Sequence, residues 1–523
     1  MAYDILIKSG TMIDGTGKPP LLADVGIDGD RISAVGDLGH AAAAVTINAY
    51  GKIVSPGFID ITNHSDTHLT LFKYPKQESL VMQGVTTIIG GNCGASLAPL
   101  ASRSALDAIK KWADPSEINI NWATVEEYLQ TLEGLRPGVN FGTLVGYGTL
   151  RRGVIGDATR ILNLEEREQV KFLLRQGAQE GAFGLSLGLA YGHERISSTE
   201  EIIEIAKVLR GTGKIIKIHL RSEGMETLAS VNEAIRIGRE TGVAIEISHL
   251  KVIGKKAWPS LSKALKLITR AKASGLDISF DVSPYRTTGS LLYLLIPWWA
   301  RQGGFNELFR RIDDSIERKK IIQALQAHTL HYDKILITSA RTKGIVGHTL
   351  AEVAEEGGFS PEEALVETVR ANEGRVAIIG RTVSMKNTLL EMSDEGAIIS
   401  SDGLGLSQDA QQLGDLVHPR SFGSFPRFLG KLAPKLNISM PEAIRKITSF
   451  PAERLGIEAR GIITKKNFAD LVIFDPQLFQ DRATYKNPFR YPAGIEWVIV
   501  NGKVAVGQGG ITGERAGRIL RKS

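Results

Sequence analysis

Ile215-Ile-Lys-Ile-His219, an amphipathic stretch over Val231–Glu240, and then Ala244-Ile-Glu-Ile-Ser-His249 form one strand–helix–strand unit with a histidine ending each strand. Short β-branched runs separated by helical periodicity are the pattern of parallel βαβ packing. The same texture extends in both directions. Strand-like runs occur at 57–64, 86–93, 141–147, 184–189, 215–219, 244–249, 277–282 and 397–402, with helical segments such as Ser198–Leu209 between most of them. Eight such units are what a closed barrel requires, so the sequence predicts an α/β fold, a (β/α)8 TIM-like barrel over residues 57–455.

The two ends read differently. Tyr3–Lys8, Ala23–Ile27 and Arg31–Val35 are short strands around tight turns, and Ala469–Asp475 and Ile495–Val506 repeat that texture, the last bent through Asn501-Gly502. Asn-Gly between apolar runs is a strong hairpin signal. Residues 1–56 and 456–523 are therefore expected to build one small β-sandwich. The stretch 287–381 is too long for one helix between the last two barrel strands and reads as an insertion, either a lid over the site or packing on the barrel's outside.

Composition excludes several classes. Charged residues are 23% of the 523 and the formal net charge is +6, with Lys and Arg scattered, so no nucleic-acid partner is indicated. No apolar run approaches the length of a bilayer span, and the N-terminus reads as a strand, not a signal peptide. The single cysteine, Cys93, rules out intrachain disulfides and suits a reducing cytoplasm. The oligomeric state is not legible.

The chemistry lies at the strand ends. His64, Cys93, His219, His249 and Asp402 close the first, second, fifth, sixth and eighth strands. In a parallel barrel these ends share one face, so the five side chains converge. Thiolate and imidazole suit zinc, and three protein ligands with an open position mark a catalytic site. Asp402 is then the candidate proton carrier. His40, His328, His331 and His348 fall in loop or helix-like segments and are read as surface residues, whereas His193 and His418 lie near enough to strand ends to border the site.

These motifs resemble the D-aminoacylase (N-acyl-D-amino-acid deacylase) branch of the amidohydrolase superfamily. The resemblance is carried by Pro56-Gly-Phe-Ile-Asp60, Gly91-Asn-Cys-Gly94, Gly184-Leu-Ser-Leu-Gly-Leu-Ala-Tyr191, His219-Leu-Arg-Ser-Glu-Gly224, Ser248-His-Leu-Lys251, Ser401-Asp-Gly403 and His418-Pro-Arg420. It implies one tightly bound Zn2+ on Cys93, His219 and His249, with His64 at a weaker second position. It further implies Asp402 as general base and then acid, and Arg420 on the carboxylate of a small-molecule substrate, with Tyr191, Tyr285 and His418 beside it. The implied reaction is hydrolysis of an N-acyl-D-amino acid or related D-configured amide. Hydrolysis of a cyclic amide, as by hydantoinase or dihydroorotase, and a non-catalytic small-ligand binder are the alternatives. Three positions depart from the branch: Thr62 stands where the first strand normally has the first histidine of His-x-His, Tyr147 where Gly-His-Gly is usual, and Ser283 where Tyr-Pro-Tyr is usual.

Overall fold

The computed structural model describes residues 2–327 and 330–523, so His328 lies outside the described residues. All eight anticipated barrel strands are present: β1 (Phe58–Asp60), β2 (Val85–Gly90), β3 (Asn140–Thr143 and Val145–Gly146), β4 (Gly184–Gly188), β5 (Ile215–His219), β6 (Ala244–Ile247), β7 (Ile278–Val282) and β8 (Ala397–Ile399). Every neighbouring pair from β1 to β8 is parallel. The strands lie in a three-stranded and a six-stranded sheet that meet within β3. On the other side, a parallel bridge between Asn63 and Gly403 joins the continuations of β1 and β8, and His64 N–H donates to Gly403 O at 2.8 Å.

The helices form where the sequence caps them. Asn163 and Glu166 make a reciprocal capping box at the start of Leu164–Gln179, and Ser198 accepts from Glu201 N–H at the start of Thr199–Ala206. The helix Thr227–Thr241 buries Val231, Ala234, Ile235 and Ile237 against the barrel and stops at Gly242, which has φ 69°. A left-handed residue after the last turn costs glycine little, so the chain turns there into β6.

The barrel interior also holds ionisable side chains. Asp60, Lys217, Glu246 and Asp281 are all at most 1% exposed, among the aliphatic residues of the same strands. Glu246 is held by Ser279 and, from below, by Arg454. Buried charges persist only when paired and hydrogen-bonded.

The two chain ends build one continuous nine-stranded mixed sheet, because Ile53–Pro56 pairs antiparallel with Leu471–Phe474. Ile5, Ile7, Val25, Ile27, Val54, Leu471, Ile473 and Ile499 form its own apolar core. The insertion folds around an antiparallel sheet of Thr288–Leu291, Ile335–Ala340 and Val376–Gly380, with a separate core that includes Leu308, Ile321, Ile337, Leu350 and Val369. Most of it packs on itself, while Thr287 and Thr288 at its base line the pocket described next. Among the described residues, no helix is long and apolar enough to cross a membrane.

Candidate metal centre and active site

Cys93, His249 and Asp402 sit just past the ends of β2, β6 and β8 with φ of 54°, 36° and 52°. Non-glycine residues seldom adopt this left-handed region, and each costs on the order of 1–3 kcal/mol. The surroundings impose it. Before Cys93, Gly91 has φ +70°, and a Cβ there would run into the Leu144 backbone; after it, Gly94 has φ +76°, and a Cβ would strike the buried Glu194 carboxylate. At His249 the peptide N–H is held by Asp281 Oδ1 at 3.0 Å. The three turns aim three chemically different side chains inward.

The donor atoms of Cys93, His219 and His249 all lie within 4.8 Å of one another, and Cys93 Sγ is 3.3 Å from His249 Nε2. A tetrahedral zinc with sulfur and nitrogen ligands spaces its donors roughly 3.3–3.6 Å apart, so the set fits that ion. His219 Nδ1 is buried without a hydrogen-bond partner, leaving a lone pair unspent. Burial alone would push the Cys93 thiol up, yet His249, His219 and His64 facing it hold it well below the usual thiol range. Burial and Lys251 oppose charge on His249, but the Cys93 thiolate and Asp402 raise it to about 10. The lone pairs carrying those protons are the ones a metal takes instead, with proton release.

His64 is not in this trio. Its Nε2 faces Asp402 Oδ1 at 3.1 Å, and contacts with Asp402 and Cys93 outweigh burial to lift it to about 9. Asp402 Oδ2 accepts from Arg420 at 2.5 Å; burial opposes its charge, but Arg420, His249 and His64 keep the carboxyl well below the usual range. Asp402 therefore rests as an anion, able to take a proton.

The residues expected to contact substrate divide. His418 accepts from Arg420 N–H through Nδ1 at 3.1 Å and meets Thr287 Oγ1 through Nε2 at 2.8 Å, so both ring nitrogens are committed to holding the start of the helix Arg420–Arg427. The Tyr285 hydroxyl donates to Pro419 O at 3.3 Å and braces the same turn. Tyr191 lies over the site, its ring 5.2 Å from that of His219. Lys111 Nζ is 3.6 Å from the Tyr191 ring centre and 4.1 Å from that of Trp112, and Trp112 packs on His64. Two expectations are corrected. His193 turns away to Gly156 O at 3.0 Å, and Tyr147 is fully buried on Ser197 and Glu201, so this departure does not reshape the pocket. Ser283 does line it, with Oγ donating to Ser401 O at 3.1 Å.

The profile of the Amidohydrolase family matches residues 313–506. D-aminoacylase of Alcaligenes xylosoxydans xylosoxydans is 32% identical over 100% of this chain and 98% of its own. The chain belongs to the D-aminoacylase family. Among solved structures of that family, N-acyl-D-glutamate deacylase from Bordetella bronchiseptica, complexed with zinc and a phosphonate mimic of the tetrahedral intermediate, superposes with a TM-score of 0.84 at 29% identity, covering all of both chains. A D-aminoacylase structure described for its binuclear metal centre, with one-metal activation and second-metal attenuation, gives 0.83 at 33% identity over 99% of this chain and 100% of that one. This D-aminoacylase relative is thus a metal-dependent amidohydrolase of the barrel fold.

One residue of the D-aminoacylase relative's site went unassigned in the sequence. Glu223 Oε1 lies 3.2 Å from His249 Nδ1, 3.8 Å from His219 Nε2 and 2.6 Å from Lys251 Nζ. A carboxylate on the far nitrogen of a ligating histidine fixes its tautomer and raises its basicity. Its signal was its position four residues after His219, inside a stretch already notable for its motif.

Proposed function

We propose that this chain hydrolyses the amide bond of N-acyl-D-amino acids, using one zinc held by Cys93, His219 and His249. Convergence of one thiolate and two imidazoles beside an anionic aspartate is the observation that carries the reading. When bound, zinc polarises the amide carbonyl and acidifies a water. Asp402 accepts the proton of the attacking water and returns it to the leaving nitrogen. His64 steers that carboxylate through its 3.1 Å contact. Arg420 takes the substrate carboxylate in a forked pair, which lysine would not reproduce.

Arg420 and Asp402 are coupled in this reading. The guanidinium that holds Asp402 anionic in the free enzyme is shared with the arriving substrate carboxylate. Part of its charge is then neutralised and Asp402 becomes a stronger base once substrate is in place. The D configuration is supported by the substrates named for the relatives. A thiolate ligand must stay reduced to hold metal, which supports a cytoplasmic location.

The test pairs N-acyl-D- and N-acyl-L-amino acids over neutral, aromatic and acidic side chains, with zinc-replete and chelator-stripped protein. Amine release from D substrates by the replete form alone is expected. No release from any D member by zinc-loaded protein would overturn the reading.

A further inference from the structure

Directly beneath the thiolate–imidazole trio, the barrel holds a lysine. Lys217 lies two residues before His219 on the same face of β5, and its side chain is 1% exposed. Its Nζ donates to Ile61 O and to Thr62 Oγ1, both at 2.5 Å, and lies 3.4 Å from Asp281 Oδ2. Thr62 Oγ1 in turn donates to Asp281 Oδ2 at 2.8 Å, while Asp281 Oδ1 accepts from Ser400 Oγ and from the His249 N–H. The Lys217 Nζ thus faces a carbonyl, a hydroxyl lone pair and a carboxylate, three acceptors and no donor.

We propose that the Lys217 ammonium stands in for a second metal ion, so that this enzyme binds one zinc and is insensitive to excess metal. The inference rests on the zinc reading above for the trio itself. A second cation sharing the Cys93 thiolate would need His64 and another first-strand donor. The available position is 62, two residues back on the same face, and it holds a threonine whose hydroxyl is already committed in both directions. Lys217 Nζ sits one hydrogen bond beyond that hydroxyl. A divalent ion beside this buried ammonium would be repelled in a low-dielectric interior. Consistent with one site, among the described residues only Cys93, His219 and His249 form a cluster able to hold a metal. D-aminoacylase, with its binuclear centre and second-metal attenuation, is the contrasting case.

The experiment counts metal, with Cys93→Ala as the baseline for adventitious binding. Wild type, Thr62→His and Thr62→His/Lys217→Ala are dialysed against excess zinc, and bound ion is measured by elemental analysis, with circular dichroism to verify folding. Expected are one ion for wild type, one for Thr62→His, and two for the double variant, whose turnover alone falls in excess zinc. Two ions in wild type, two in Thr62→His alone, or one in a folded double variant would each overturn the proposal. Should the alanine version lose its fold, Thr62→His/Lys217→Met keeps the volume, and the wild-type count decides independently. One zinc with no hydrolysis of any D substrate would sink the hydrolase reading and leave this one intact.

Discussion

Replacing Glu223 with glutamine isolates the charge beneath the two imidazoles. The carboxylate is buried, yet Lys251, His219 and His249 overcome that burial and hold it well below the usual range. Glutamine is close to isosteric, so packing persists and charge is what disappears. A hydrogen bond involving a charged group contributes about 1.5–3 kcal/mol against about 0.5–1.5 for a neutral one, so the exchange costs on the order of 1–2 kcal/mol at His249. A second effect adds to it. Lys251 Nζ is 2.8 Å from His249 Nδ1. With no carboxylate to hold it, the ammonium donates to that nitrogen, which forces the ring proton onto Nε2, the atom facing Cys93. Zinc affinity is then expected to fall by roughly 10–100-fold, the range for groups that orient metal ligands. Competition with a chromophoric chelator measures it, and Glu223→Gln/Lys251→Met is expected to recover part of the loss. A folded Glu223→Gln protein that holds zinc within twofold of wild type would refute the reasoning.

Three further outcomes are expected. Arg420→Met removes the leading charge that depresses Asp402, so the acid limb of kcat/KM moves to higher pH; the folded carboxyl is depressed, hence its anionic form is lost only as pH falls through that lowered value, and raising the value brings the loss earlier. A pH profile at saturating zinc checks this. Arg151→Met leaves Glu201 buried without its partner, both side chains being 0% exposed, and is expected to destabilise by about 3–5 kcal/mol in urea titration. Gly94→Ala combines a left-handed φ with a collision against Glu194 and is expected to displace Cys93, read as lost zinc at nearly unchanged helix content by circular dichroism.

Much of the fold could be read from the chain because each barrel strand is a β-branched or small-residue run bounded by turn residues, and those signals are local. Convergence of Cys93, His219, His249 and Asp402 followed from strand polarity alone, since parallel strands end on one side. What was not legible depends on contacts between distant strands. Nothing near Lys217 in sequence announces that its charge is met by Thr62 and Asp281. Tyr147 looked like a pocket residue by position, but the buried Arg151–Glu201 pair draws its hydroxyl elsewhere. The left-handed turns at Cys93, His249 and Asp402 are equally silent, because even Asp and His, which visit that region more than most residues, do so too seldom for residue type to announce it. His418 reads in the sequence as a residue bordering the site, and only its neighbours reveal that both of its nitrogens are engaged.

The pairing of Ile53–Pro56 with Leu471–Phe474 has a consequence for biosynthesis. The earlier-made strand must wait for a partner some four hundred residues later. At about 5–20 residues per second, that interval is on the order of 20–80 s, during which an aliphatic edge stays open beside the ribosome. Newly made chains are therefore expected to need escort by holding chaperones, and a ribosome stalled before residue 471 should leave the amino-terminal strands protease-sensitive.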